Sequence, residues 1–226
     1  MWWRALGVAV VLLCVGVAGG YAVADRDQRS PVMGSTVDPV PAVSPSVPVV
    51  AEPTYEPDPG DPPLPTSGVT LEPMPLRLDP QGIGVKVSVP VDWRSSHPST
   101  NLWNFANPEA SPGTYLLRVT IQSGTNVSIS GAVAQRIALL QTTEDDGNIS
   151  DFTVTSRTGD TLIATYVEGG HLRFTTERWV SFDGSTAYAS VAVTGREVDQ
   201  QALNDLLGRM INSLRPLAPK AAGENP

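Results

Sequence analysis

One cysteine and two histidines are all that this 226-residue chain carries of the side chains that most often ligate metals or attack carbonyl groups. Cys14 lies inside an apolar N-terminal run, so no disulfide can form in the remainder. A zinc site needs three or four ligands at close spacing, and His97 and His171 are too few and too far apart in sequence to supply them. There is no G-x-S-x-G elbow and no G-x-x-x-x-G-K loop, which removes the usual signatures of serine hydrolases and phosphate-cradling loops. No metal and no cofactor is expected.

Positive charge is also in short supply. The formal net charge is -8. Residues 25–72 hold eight acids against two arginines, whereas residues 73–220 hold fourteen acids and twelve bases. The candidate domain is therefore nearly balanced and shows no basic stripe of the kind that phosphate backbones require. Nucleic acid is not an expected partner.

What is present divides the chain into parts. Residues 5–24 carry no charge and follow Met1-Trp2-Trp3-Arg4. A helix of that length rises about 1.5 Å per residue and spans about 30 Å, the thickness of a bilayer's hydrocarbon core. Residues 1–24 thus read as a transmembrane anchor or a signal peptide. Ala22-Val23-Ala24 before Asp25 fits a small-residue cleavage site, while the apolar length exceeds the usual signal core. Both readings place the rest of the chain outside the membrane, tethered to it in one case and secreted in the other. A lipid anchor on Cys14 is not expected, because Leu13 stands where a small residue is needed.

Thirteen of the 21 prolines fall between Pro31 and Pro75. Proline fixes φ and removes a backbone donor, so residues 25–72 read as a disordered, extended linker, with a reach on the order of 140 Å if fully polyproline-like. A domain over residues 73–217 and a disordered tail over 218–226 complete the division.

Within the domain, Ile83, Val85, Val87 and Val89 alternate with Gly84, Lys86 and Ser88, and Tyr115, Leu117, Val119 and Ile121 repeat the pattern. Both are half-buried strands, with a shorter one at 102–105 between them. Ile129, Val133, Ile137 and Leu140 mark a helix that Ser128 or Ser130 caps and Asp145-Asp146-Gly147-Asn148 stops. Turn signals at Thr158-Gly159-Asp160, Gly169-Gly170 and Asp183-Gly184 then separate four strands near 149–157, 161–168, 171–182 and 186–193, an antiparallel meander. Leu203, Leu206, Leu207, Met210, Ile211 and Leu214 form the apolar stripe of a closing helix, with Asp199 as its cap. The expected class is α+β, one antiparallel sheet covered by helices.

Val87-Ser88-Val89-Pro90-Val91-Asp92-Trp93, Asn101-Leu102-Trp103-Asn104-Phe105, the strand at 115–121 and the helix at 206–214 together resemble the PsbP-like fold of the actinobacterial LpqN/LpqT-type envelope proteins. The resemblance covers about residues 74–216, and it rests on framework positions. It implies an extracytoplasmic, non-catalytic binding or assembly module whose partner is an envelope protein or a lipid-like cell-wall ligand. It transfers no catalytic residue.

Four residues stand out as candidates for ligand contact. Trp93, Trp103 and Trp179 are large rings with a polar handle, suited either to lining a pocket or to sealing a core. Arg178 shares the apolar register of Leu172, Phe174, Val180 and Phe182. In a regular strand its guanidinium faces the core and needs a carboxylate such as Glu168 or Asp160; a bulge near Thr176 sends it outward instead. Glu144-Asp145-Asp146 is read as a solvated turn, because it lacks the spaced ligands of a calcium loop. The rival function is an envelope hydrolase, which requires two carboxylates converging in a cleft.

Overall fold

The computed structural model describes Tyr55 and residues 60–66, 68–78, 82–122 and 126–217, all within the unit Glu52–Pro226. The apolar run, most of the linker and the tail lie outside the described residues. Among those described, no helix is long and apolar enough to cross a membrane.

The described residues form ten strands and two α-helices: β1 (Leu71–Arg77), β2 (Gly84–Pro90), β3 (Arg94–Ser99), β4 (Leu102–Ala106), β5 (Leu116–Ile121), α1 (Ile129–Asp145), β6 (Ser150–Arg157), β7 (Thr161–Glu168), β8 (His171–Val180), β9 (Ala189–Arg196), α2 (Gln200–Ser213) and β10 (Arg215–Leu217). Seven strands form one antiparallel sheet in the order β3-β4-β5-β9-β8-β7-β6, and β1-β2-β10 form a second. The class is α+β as expected. The four strands after α1 run as the meander that their turn residues called for, and Gly169, Gly170 and Gly184 adopt positive φ at two of its turns.

Both faces of the large sheet are covered. Phe174, Val191, Val193 and Leu117 join one core with Val85, Val87 and Val89 of the small sheet and with Leu203, Leu206 and Met210 of α2. On the other face Leu162 and Tyr166 of β7 and Trp179 of β8 join a second core with Ala132, Val133 and Leu140 of α1. Because side chains alternate across a strand, α1 and α2 must lie on opposite faces. Residues 173–177 are therefore buried without interruption, and no alternation survives in β8.

The helix termini differ in how they are closed. Ser128 caps α1, its Oγ accepting from the Gly131 amide at 3.1 Å. Asp199 stands at the N-cap position of α2, but its side chain does not cap the helix. Instead Asp199 Oδ2 accepts from Tyr115 Oη at 2.5 Å and from Arg196 Nε at 2.6 Å.

The fold also takes up residues that were expected in the linker. Asp61 accepts from the Ser111 amide and hydroxyl, each at 2.9 Å, and from the Thr114 hydroxyl at 2.7 Å. Leu64 is buried in the first core, and β1 begins at Leu71. Prolines at 73 and 75 do not prevent that strand. β1 is an edge strand, paired on one side only with β2, and an edge leaves the missing donors uncalled for.

Candidate functional site

A concavity of about 290 Å³ lies between α1 and the β4-β5-β9-β8 part of the sheet. Its apolar lining comes from Leu102, Ala132, Leu139 and Trp179, and its polar floor from Arg118, Arg136, Glu177 and Ser190. Register explains how the floor assembles. Arg118 on β5 and Glu177 on β8 both pair with Ala192 on the strand between them. The three side chains share a face, and a methyl group in the middle leaves room for the outer two to meet above it.

Glu177 is 5% exposed and is held from three sides. Arg118 Nη2 lies 3.2 Å from its Oε2, and Ser190 Oγ donates to its Oε1 at 2.8 Å. Arg136 Nε approaches the same Oε2 at 2.9 Å from α1. That N–H does not point along the oxygen, so the contact is charge attraction more than a directed hydrogen bond. Burial, and next the Arg118 charge, hold the Arg136 pKa below the ordinary arginine value.

A second, smaller concavity of about 140 Å³ is lined by Leu64, Val69, Thr70, Val91, Trp93 and Pro108 among others. The three tryptophans fall in three places. Trp93 lines this second hollow. Trp103 packs against the first core and stacks on His97, with ring centroids 4.5 Å apart and planes 14° from parallel. Trp179, 2% exposed, lines the α1 groove, and its buried indole N–H has no acceptor among the described residues. No single site gathers them.

Arg178 meets Asp160, one of the two carboxylates expected for it, yet faces outward without the expected bulge. β8 pairs regularly with β7 and β9 from residue 173 onward, so there is no bulge. Arg178 lies near the strand end, exposed, and donates from Nε to Asp160 Oδ2 at 3.1 Å. Trp179 is nonetheless buried. α1 covers the face that Trp179 occupies, and Arg178 is exposed on the other although Phe174 and Val180 on its register pack against the first core.

The acidic cluster at the end of α1 has a partly structural task. Glu144 Oε1 accepts from the Phe152 amide at 2.8 Å, while Asp145 and Asp146 are exposed. Among the described residues no group of acids, histidines or cysteines is placed to hold a metal ion. Arg118, Arg136, Glu177 and Ser190 were not singled out from sequence. One of them left a trace: Arg136 stands three residues after Val133 and four before Leu140, inside the buried stripe of α1.

Fold and groove together define an α+β domain in which a helix roofs a ligand-sized cleft on the face of an antiparallel sheet. No family model and no curated protein matches the chain. Among solved structures it has a weak likeness to LpqN, involved in cell envelope biogenesis of Mycobacterium tuberculosis, at a TM-score of 0.34 and 15% identity over 66% of this chain and 92% of that one.

Proposed function

We propose that this chain is a non-catalytic binding module of the bacterial cell envelope, held at the membrane by its N-terminal apolar segment, and that the groove under α1 receives its ligand. The groove carries the reading. Apolar walls over a small, fixed polar floor are the usual composition of a ligand cleft, and about 290 Å³ is near the lower end of their size range. The envelope setting is supported by the apolar leader and the proline-rich spacer in the sequence.

The hydrolase alternative loses ground on the buried carboxylates. Glu177 and Asp199 are each committed to arginines, and they sit in separate networks. Asp61, adjoining the second network, has its pKa lowered, chiefly by the Thr114 hydroxyl, which is the wrong direction for a general acid.

The test uses the full chain extracted from its native envelope in polymer nanodiscs. Gln135 is exposed on α1 and lines the groove, so Gln135→Trp plugs it without entering either core. Mass spectrometry should find a small molecule retained by the wild type and lost from the variant. Equal retention by both, or none by either, rejects the groove as the ligand site.

A further inference from the structure

Arg118, Arg136 and Glu177 are the charged side chains that line the α1 groove, and they do not balance. Both guanidiniums converge on one carboxylate oxygen, at 3.2 and 2.9 Å. A single carboxylate thus serves two cations, and one positive charge is left over in a partly dehydrated cleft. Such an excess is costly where the dielectric is below that of water, and an entering anion relieves it.

Exposure sets which groups a ligand meets first. The side chains of Arg118 and Arg136 are 22% and 16% exposed, whereas that of Glu177 is 7% exposed and lies beneath them. Arg118 meets Glu177 through Nη2 and Arg136 through Nε, and a guanidinium carries five N–H donors, more than these contacts use. The unsatisfied indole N–H of Trp179 belongs to the same lining. The charge excess asks for an anion, and the N–H donors ask for acceptor oxygens that the same group can supply.

We infer that the floor of this groove is an anion site, in which Arg118 and Arg136 together grip the phosphate or carboxylate group of the ligand. The inference rests on the groove being the ligand site and adds the chemistry of what it selects. The apolar walls are left to take whatever alkyl portion the ligand carries.

Calorimetric titration of the full chain in nanodiscs, with empty nanodiscs as the blank, can compare hexyl phosphate, inorganic phosphate and hexyl glucoside. Hexyl phosphate should bind at least about tenfold tighter than hexyl glucoside, as charge-assisted hydrogen bonds require. The margin should shrink as salt is added. Arg118→Gln leaves Arg136 and Glu177 as a one-to-one pair; with an unchanged urea midpoint showing that the fold is kept, it should erase the margin between the two hexyl probes. Arg118→Lys should restore most of it. Inorganic phosphate binding as well as hexyl phosphate makes the ligand a free anion, and preference for the hexyl ester makes it the headgroup of an amphiphile; either supports the site. Equal binding of ester and glucoside, both blocked by Gln135→Trp, overturns the anion site and spares the binding groove. Failure of all three probes to bind the wild type overturns both.

Discussion

Tyr115 joins Arg196 and Asp199, neighbours in the chain, in a largely buried knot that links positions 84 residues apart. The phenol donates to Asp199 Oδ2 at 2.5 Å, and the Arg196 guanidinium, 5.8 Å from the Tyr115 ring centroid, donates to the same oxygen. Arg196 Nη1 also donates to the Asp61 carbonyl at 3.1 Å, which ties residues 60–64 to the sheet. Tyr115→Phe should cost about 1.5–3 kcal/mol in urea denaturation, the range for a hydrogen bond to a charged acceptor. Burial, and then the bond to Asp199, raise the Tyr115 pKa above the usual tyrosine value. The fold therefore prefers the neutral phenol. Its stabilisation is complete below about pH 10 and is lost as pH rises beyond that. Burial raises Tyr166 in the same direction, so the wild type should lose stability above pH 10 more steeply than Tyr115→Phe, whose remaining slope reports Tyr166 and the other alkaline groups. Equal slopes would show that Tyr115 is not linked to alkaline unfolding. Arg178→Ala is the contrast: an exposed pair with Asp160 should be worth under about 1 kcal/mol in the same measurement.

The helices depend on close approach to the sheet at particular points. A Cβ at Gly195 would lie 2.8 Å from Tyr115 Cδ1 and 2.9 Å from Leu203 Cδ1, so glycine there lets α2 settle against β9. Gly195→Ala should cost about 1–3 kcal/mol by overpacking, and Leu203→Ala, which empties a fully buried position, about 2–5 kcal/mol. Leu139→Ala, on the groove rim and 55% exposed, should change the urea midpoint little while altering ligand retention. These positions also explain what could be read before the structure was known. α2 and the strands β2 and β5 bury one stripe or one face, and their periodicity announced them. β1 and β3 were missed because prolines and serines in edge strands look like linker and turn. The floor of the groove was missed for a different reason. Arg118 and Glu177 meet only because β9 separates them with Ala192 between, a juxtaposition set by strand order, which local pattern does not encode. Asp199 has the residue type of a helix cap, but the deeper partners Tyr115 and Arg196 claim its carboxylate.

Charge and hydropathy are segregated along the whole chain, and the proposal of an envelope location rests on that segregation. The apolar run at 5–24 precedes an acidic, proline-rich stretch, and Asp61 is strapped to Ser111 and Thr114 of the domain. If the proline-rich residues before it form the extended linker expected from the sequence, about 35 residues give a greatest reach of about 110 Å at roughly 3.1 Å per residue. If residues 5–24 direct export, the domain ends up across the membrane from Arg4, whose charge favours the cytoplasmic side. Alkaline phosphatase, which needs oxidising conditions to become active, fused after Pro226 should then be active in intact cells, whereas green fluorescent protein at the same position, exported unfolded, should stay dark. Replacing Leu12 and Leu13 with Asp should reverse both signals, because each charge near the middle of such a helix costs about 2.5–3.5 kcal/mol of insertion free energy. Both cores are built from described residues between Leu64 and Leu214, so the reversed variant should still fold and keep the urea midpoint of the wild type. A fluorescent, phosphatase-inactive wild-type fusion would place the groove in the cytoplasm and remove the envelope from the proposal, leaving the anion site to be judged on its own titrations.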